Sequence, residues 1–161
     1  MLVSFDSLPG HARVWIYPSN RKLSEDEVVT VKLRTAEFLT QWTAHGADLM
    51  AGFDVPYDRF IVIGLNQDKA AASGCSIDAS VRFIQSLQED LGVDLLDKMN
   101  VTFYTGKHIA HKPLLEFKKM AKNKSVSRNT IVFNNLVNTI EEYQNYWEVP
   151  AHESWHNRFL P

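Results

Sequence analysis

The chain has 161 residues, of which 45% are hydrophobic and 22% charged, and its formal net charge is -2. That length and apolar content fit one self-sufficient domain or two very small ones, and they exclude a disordered chain. With 7 Gly and 6 Pro the chain is neither collagen-like nor low-complexity, and a pI near 6.3 argues against a strongly basic nucleic-acid binder.

Cys75 is the only cysteine, so no intrachain disulfide can form. The first residues lack the basic and long apolar regions of a signal peptide, and no stretch reaches ~18 uncharged apolar residues. A cytoplasmic protein without a membrane span is therefore expected.

The first strand is predicted over Ala12 to Tyr17, between Pro9-Gly10 and Pro18. Ser24-Glu25-Asp26-Glu27 reads as a capping box, with Leu23 and Val28 at the staple positions. Val28, Val31, Thr35, Phe38, Leu39 and Trp42 continue at helical spacing, and Gly46 is the expected stop. From Leu49 to Val55 apolar residues alternate, as on a strand. Pro56-Tyr57-Asp58 turns the chain into Phe60 to Leu65, an apolar run that predicts a central strand buried on both faces. A polar loop from Asn66 to Ser76 leads into a second helix, with Ile77, Val81, Ile84, Leu87 and Leu91 on one face and Gly92 at its end. Met99 to Tyr104 is the next expected strand.

This order, β-α-β-β-α-β, predicts an α+β fold of the ferredoxin-like kind over residues 1–105, with helices on one sheet face. Residues 106–161 form an expected α/β extension that packs on the other face. It should contain a hairpin around Thr105-Gly106-Lys107, a short helix from Pro113 to about Ala121, a strand at Ile131-Val132-Phe133 and an aromatic tail from Glu141.

Four groupings could carry chemistry. Gly74, Cys75, Ser76, Asp78, Ser80 and Arg82 lie at the start of the second helix, where free N–H groups and the helix dipole favour anions and lower a thiol pKa. The competing reading gives Ser73 or Ser76 as the cap and Cys75 as a filler. His152-Glu153-Ser154-Trp155-His156 matches the H-E-x-x-H zinc pattern, but no third ligand follows it, and a packed tail is the plainer expectation. His108 and His111 fall on opposite faces of a hairpin strand. The Lys112 to Arg128 segment carries +5 against -7 for the rest of the chain, and could face phosphates or an acidic partner. No cofactor or metal is expected. No G-x-x-x-x-G-K-[ST], G-x-G-x-x-G or G-x-S-x-G pattern occurs, so P-loop ATPase activity is not expected.

Gly10-His11-Ala12-Arg13-Val14-Trp15-Ile16-Tyr17, Ser73-Gly74-Cys75-Ser76-Ile77-Asp78, Val132-Phe133-Asn134-Asn135-Leu136-Val137 and Trp147-Glu148-Val149-Pro150-Ala151 together resemble a family of small bacterial proteins. Its members often carry the automatic label "ABC transporter ATPase", a label the missing P-loop and transporter signature do not fit. The resemblance keeps Glu153 and His156 in the tail pattern and leaves His152 outside it, which implies site residues without a metal. A second similarity, from Phe103 to about Trp147, is to bacterial GYF-like modules, which implies a peptide-binding subdomain over residues 100–150; the Gly-Tyr-Phe tripeptide itself is absent.

The expected function is a binding or adaptor protein with a pocket at the Gly74 to Asp78 helix start, completed by Glu153 and His156. Its ligand would be a small anion or an acidic peptide or protein. The alternative is a hydrolase or transferase with Cys75 as nucleophile, His156 as base and Asp78 or Glu153 orienting it. A homodimer joined through an exposed sheet face is a third expectation.

Overall fold

A computed structural model describes all 161 residues, and it is a mixed α+β structure. The elements run β1 (Arg13–Pro18), α1 (Glu25–Gln41), β2 (Thr43–Ala44), β3 (Ala47–Asp48), β4 (Met50–Asp54), β5 (Phe60–Asn66), α2 (Gly74–Leu91), β6 (Asn100–Thr105), β7 (His108–Pro113), α3 (Leu114–Lys122), β8 (Ile131–Phe133), α4 (Ile140–Tyr146) and β9 (Glu148–Pro150).

Local chemistry sets the helix ends. The Ser24 hydroxyl accepts from Glu27 N–H while the Glu27 carboxylate accepts from Ser24 N–H, so the predicted box starts α1. Ser73 and Ser76 form a second reciprocal box at α2, and Gly92 ends that helix in the left-handed region at φ 64°. Gly46 does not stop α1. The helix ends at Gln41, and His45 (φ 52°) and Gly46 (φ 79°) form the tight turn of the β2–β3 hairpin instead.

β1, β5 and β4 form one antiparallel sheet in the order β1-β5-β4. The pleat of β5 sends Ile61, Ile63 and Leu65 toward α1 and α2, where they meet Val31, Leu39, Ile84 and Leu87. Phe60 and Val62 point the other way and meet Phe133, Ile140 and Trp147. Both faces of the central strand are thus buried, each by a different part of the chain.

β6 does not join this sheet. It pairs with β7 and β8, and β9 completes a second antiparallel sheet in the order β7-β6-β8-β9. The connection from α2 explains the departure. Val93 and Leu95 are buried in the helix-side core, and Asp94 exchanges two hydrogen bonds with Asn20, just past the end of β1. The chain then passes away from β1, and Val101 and Phe103 pack against Phe117, Val132 and Val149.

The outer edge of β1 is therefore only partly covered. Val14 N–H donates to Asn138 C=O and Ile140 N–H donates to Ala12 C=O, so the 138–140 segment pairs with the beginning of the strand. Beyond Val14 no strand lies alongside it.

Candidate functional site

Antiparallel pairing alternates, so residues whose backbone groups face away from β5 are Ala12, Val14, Ile16 and Pro18. The first two meet the 138–140 segment. Ile16 has no such neighbour, and its N–H and C=O face a cleft of about 570 Å³ that runs along the whole of β1. That volume lies within the ~300–1,000 Å³ usual for ligand pockets. Ile77 and Val81 of α2 form one wall, Leu96 to Asn100 and Thr102 a second, and Phe133, Leu136, Trp155 and His156 a third. The cleft thus lies where the two sheets and α2 meet.

Trp155 and His156, near the end of the chain, belong to the third wall. Ala151–Glu153 and Trp155–Phe159 form two separate 3-10 turns, with Ser154 extended between them and capping the second. The H-E-x-x-H residues are consequently not on one α-helix. His152 is partly exposed, Glu153 exposed and His156 fully buried, and the structure holds no group of three His, Cys, Asp or Glu side chains able to grip a metal.

His156 stacks on Trp155 with ring centroids 3.8 Å apart and meets Phe117 edge-on. Its Nδ1 hydrogen-bonds Ser154 Oγ, which also accepts from His156 N–H. Burial holds its pKa down to about 4, well below the ordinary 6.5, so the ring is neutral at pH 7. His156 Nε2 and Trp155 Nε1 are buried and have no partner. Buried polar groups without partners are uncommon, and these two lie in adjacent stacked rings just behind the cleft wall.

The expected helix-start site looks different. Cys75 is exposed on the first turn of α2, beside a shallow depression lined by Phe38, Trp42 and His45. Ser73 N–H and Ser76 N–H are taken up by the capping box, and Ser76 C=O accepts from Trp42 Nε1 at 2.8 Å. Asp78 and Arg82 are exposed, and Gly74 borders open space. Ser80 is buried beside the Tyr17 phenol and donates to Ile77 C=O, so it supports the α2 wall of the β1 cleft. Cys75 and His156 line different depressions, and no hydrogen bond links either to Asp78 or Glu153. The residues expected to form one catalytic group are not brought together.

A further cluster was not foreseen from the sequence. Glu148 of β9 accepts from the Tyr57 and Tyr104 phenols, each at 2.7 Å. Tyr57 sits in the left-handed region at φ 58° and its ring packs against Phe60, Phe133 and Trp147. Burial, reinforced by the nearby Glu148 charge, pushes the Tyr104 pKa far up. This cluster ties the turn before β5 to β6 and β9, and so fixes one sheet against the other.

His111, in β7, hydrogen-bonds Thr102 at 2.9 Å while His108 is exposed, so the two share no site. Comparison with protein-family models, with curated proteins and with solved structures returns no match.

Proposed function

We propose that the protein is a binding module that accepts an extended peptide segment of a partner as an additional strand against β1. The observation that carries this reading is the unpaired edge at Ile16, which opens into a cleft and not onto bare solvent. Strand addition uses such an edge: main-chain hydrogen bonds give affinity, and pockets for alternate side chains give specificity.

The sheet order supports the same view. On this reading β1-β5-β4 and its two helices correspond to a ferredoxin-like unit whose fourth place, beside β1, is filled only at its start, by the 138–140 segment, because β6 joins the second sheet. A guest strand takes the rest of that place. The apolar walls from α2, Phe133 and Leu136 receive its side chains. This moves the expected pocket from the α2 start to the opposite side of that helix's first turns, and Ile77 and Ser80 belong to its surroundings.

Selection from a displayed library of random octapeptides, followed by amide hydrogen exchange on the protein with the selected synthetic peptide, tests this. Ile16 N–H should exchange at least about tenfold more slowly in the complex, as an amide newly placed in a ladder does. Failure to enrich any peptide, or a bound peptide that leaves Ile16 exchange unchanged, overturns the proposal.

A further inference from the structure

Resting on that strand-addition reading, we infer that the guest is an unstructured segment of a partner chain with three consecutive apolar residues between acidic flanks, because the cleft covers both of its faces. A strand added to an open sheet edge usually buries one face and leaves the other in water, so its sequence alternates. Here each face meets a wall. Trp15 and Tyr17 pack with the α1–α2 core, while Ile16 packs with the opposite one. Side chains directly opposite one another on paired strands share a face. Guest residues opposite Trp15 and Tyr17 therefore turn toward Ile77 and Val81 of α2, and the residue opposite Ile16 turns toward Leu136 and Trp155. These wall side chains keep surface to offer: Leu136 is 60% exposed, and Ile77, Val81 and Trp155 are partly exposed. The molecule already contains such a strand. In β5 the residues from Phe60 to Ile63 are all apolar, and each face of that strand meets a core.

The ends of the slot set its length and charge. Val14 N–H is taken by Asn138 C=O at one end, and Asn20 N–H by Asp94 C=O at the other. Pro18 has no N–H to give, so the two-way bond at Ile16 is the centre of the register and its two neighbours complete the triplet. Arg13 and Lys98 are exposed, line the cleft and belong to none of the molecule's ion pairs. Asp97, the one acidic residue of the lining, already accepts from Met99 N–H. Acidic residues beside the apolar triplet complement that charge. Three consecutive apolar residues are buried wherever their own chain is folded, so the segment is one that is unstructured before it binds.

Synthetic octapeptides with a central Val-Val-Val between Glu residues, and their Val-Ser-Val and Ser-Val-Ser counterparts, test this by titration against the wild type, Val81→Ser and Leu136→Ser. Val-Val-Val should bind the wild type at least about tenfold more tightly than either counterpart. Lys in place of the flanking Glu residues should weaken binding at least about threefold at low salt. Val81→Ser should shrink the advantage of valine at the two outer positions and leave that of the central one, and Leu136→Ser should do the reverse. A variant that is merely less stable would weaken all peptides alike. Equal binding of Val-Val-Val and one of its counterparts overturns the two-walled reading, and equal binding with Lys flanks overturns the acidic ones. Library-selected peptides that protect the Ile16 amide but lack an apolar triplet overturn this inference and leave strand addition standing. Failure of every designed and selected peptide removes both together.

Discussion

Replacing His156 with Phe should make the protein more resistant to acid. The imidazole is fully buried, and burial holds its folded pKa down to about 4, while an unfolded histidine titrates near 6.5. Above pH 6.5 the ring is neutral in both states and contributes nothing to pH dependence. As pH falls from 6.5 toward 4, the unfolded chain gains a proton that the folded one refuses, so the folded state loses ground. The gap amounts to about 3 kcal/mol once fully expressed, of which about 2.5 kcal/mol is reached by pH 4.5. A phenyl ring lacks this penalty and fits the same aromatic surroundings of Phe117 and Trp155. At pH 7 the variant loses the Ser154 bond but also a buried nitrogen without a partner, which leaves stability within about 1 kcal/mol of the wild type. Urea unfolding followed by tryptophan fluorescence at pH 7.0 and 4.5 measures both. Other groups, including His111 whose pKa burial also lowers, titrate in both proteins and cancel in the comparison. The wild type should lose about 2 kcal/mol more than the variant across that interval. Equal losses would refute the reasoning.

Further outcomes follow from packing and titration. Gly52→Ala should destabilise by about 1–3 kcal/mol in the same assay, because a Cβ there would lie 2.7 Å from Val3 C=O and 2.9 Å from Phe5 N, where the N-terminal segment crosses the sheet. Thr35→Val should stabilise by about 1 kcal/mol in thermal melts, since the Thr35 hydroxyl is buried in α1 without a partner and valine has nearly its shape. In alkali, Tyr17, Tyr57, Tyr104 and Tyr143 all have raised folded pKa values, chiefly from burial. The stability they support is complete below the unfolded value near 10 and is lost as pH rises beyond it. Tyrosinate absorbance should therefore rise together with loss of the circular dichroism signal.

The parts of this fold governed by neighbouring residues were legible in the sequence. Ser24 and Glu27, or an apolar run such as Phe60 to Leu65, carry their instruction within a few positions. The destination of β6 was not legible. Its alternation of Val101 and Phe103 with Thr102 and Tyr104 suits either sheet, and the choice is made by Asn20 holding Asp94 and by Phe117 waiting on α3. The H-E-x-x-H reading failed for a related reason: Ser154 caps a new turn in the middle of the motif and breaks the helical spacing it assumes. Of the site residues, His156 borders the β1 cleft and Ser80 is buried behind its α2 wall, while Cys75, Asp78 and Arg82 lie at the surface. The cleft itself joins β1, α2, residues 96–102 and the chain end, and no local pattern announces such a junction. The Tyr57–Glu148 bond spans 91 positions and was equally hidden.

The central claim is that the β1 edge takes a guest strand, and nuclear Overhauser contacts between an isotope-labelled selected peptide and β1 test it most directly. The account predicts cross-strand contacts from the peptide backbone to Ile16 and its neighbours Trp15 and Tyr17, in one continuous register. A peptide that binds elsewhere, such as the Cys75 depression, with no contact to Ile16 would contradict it.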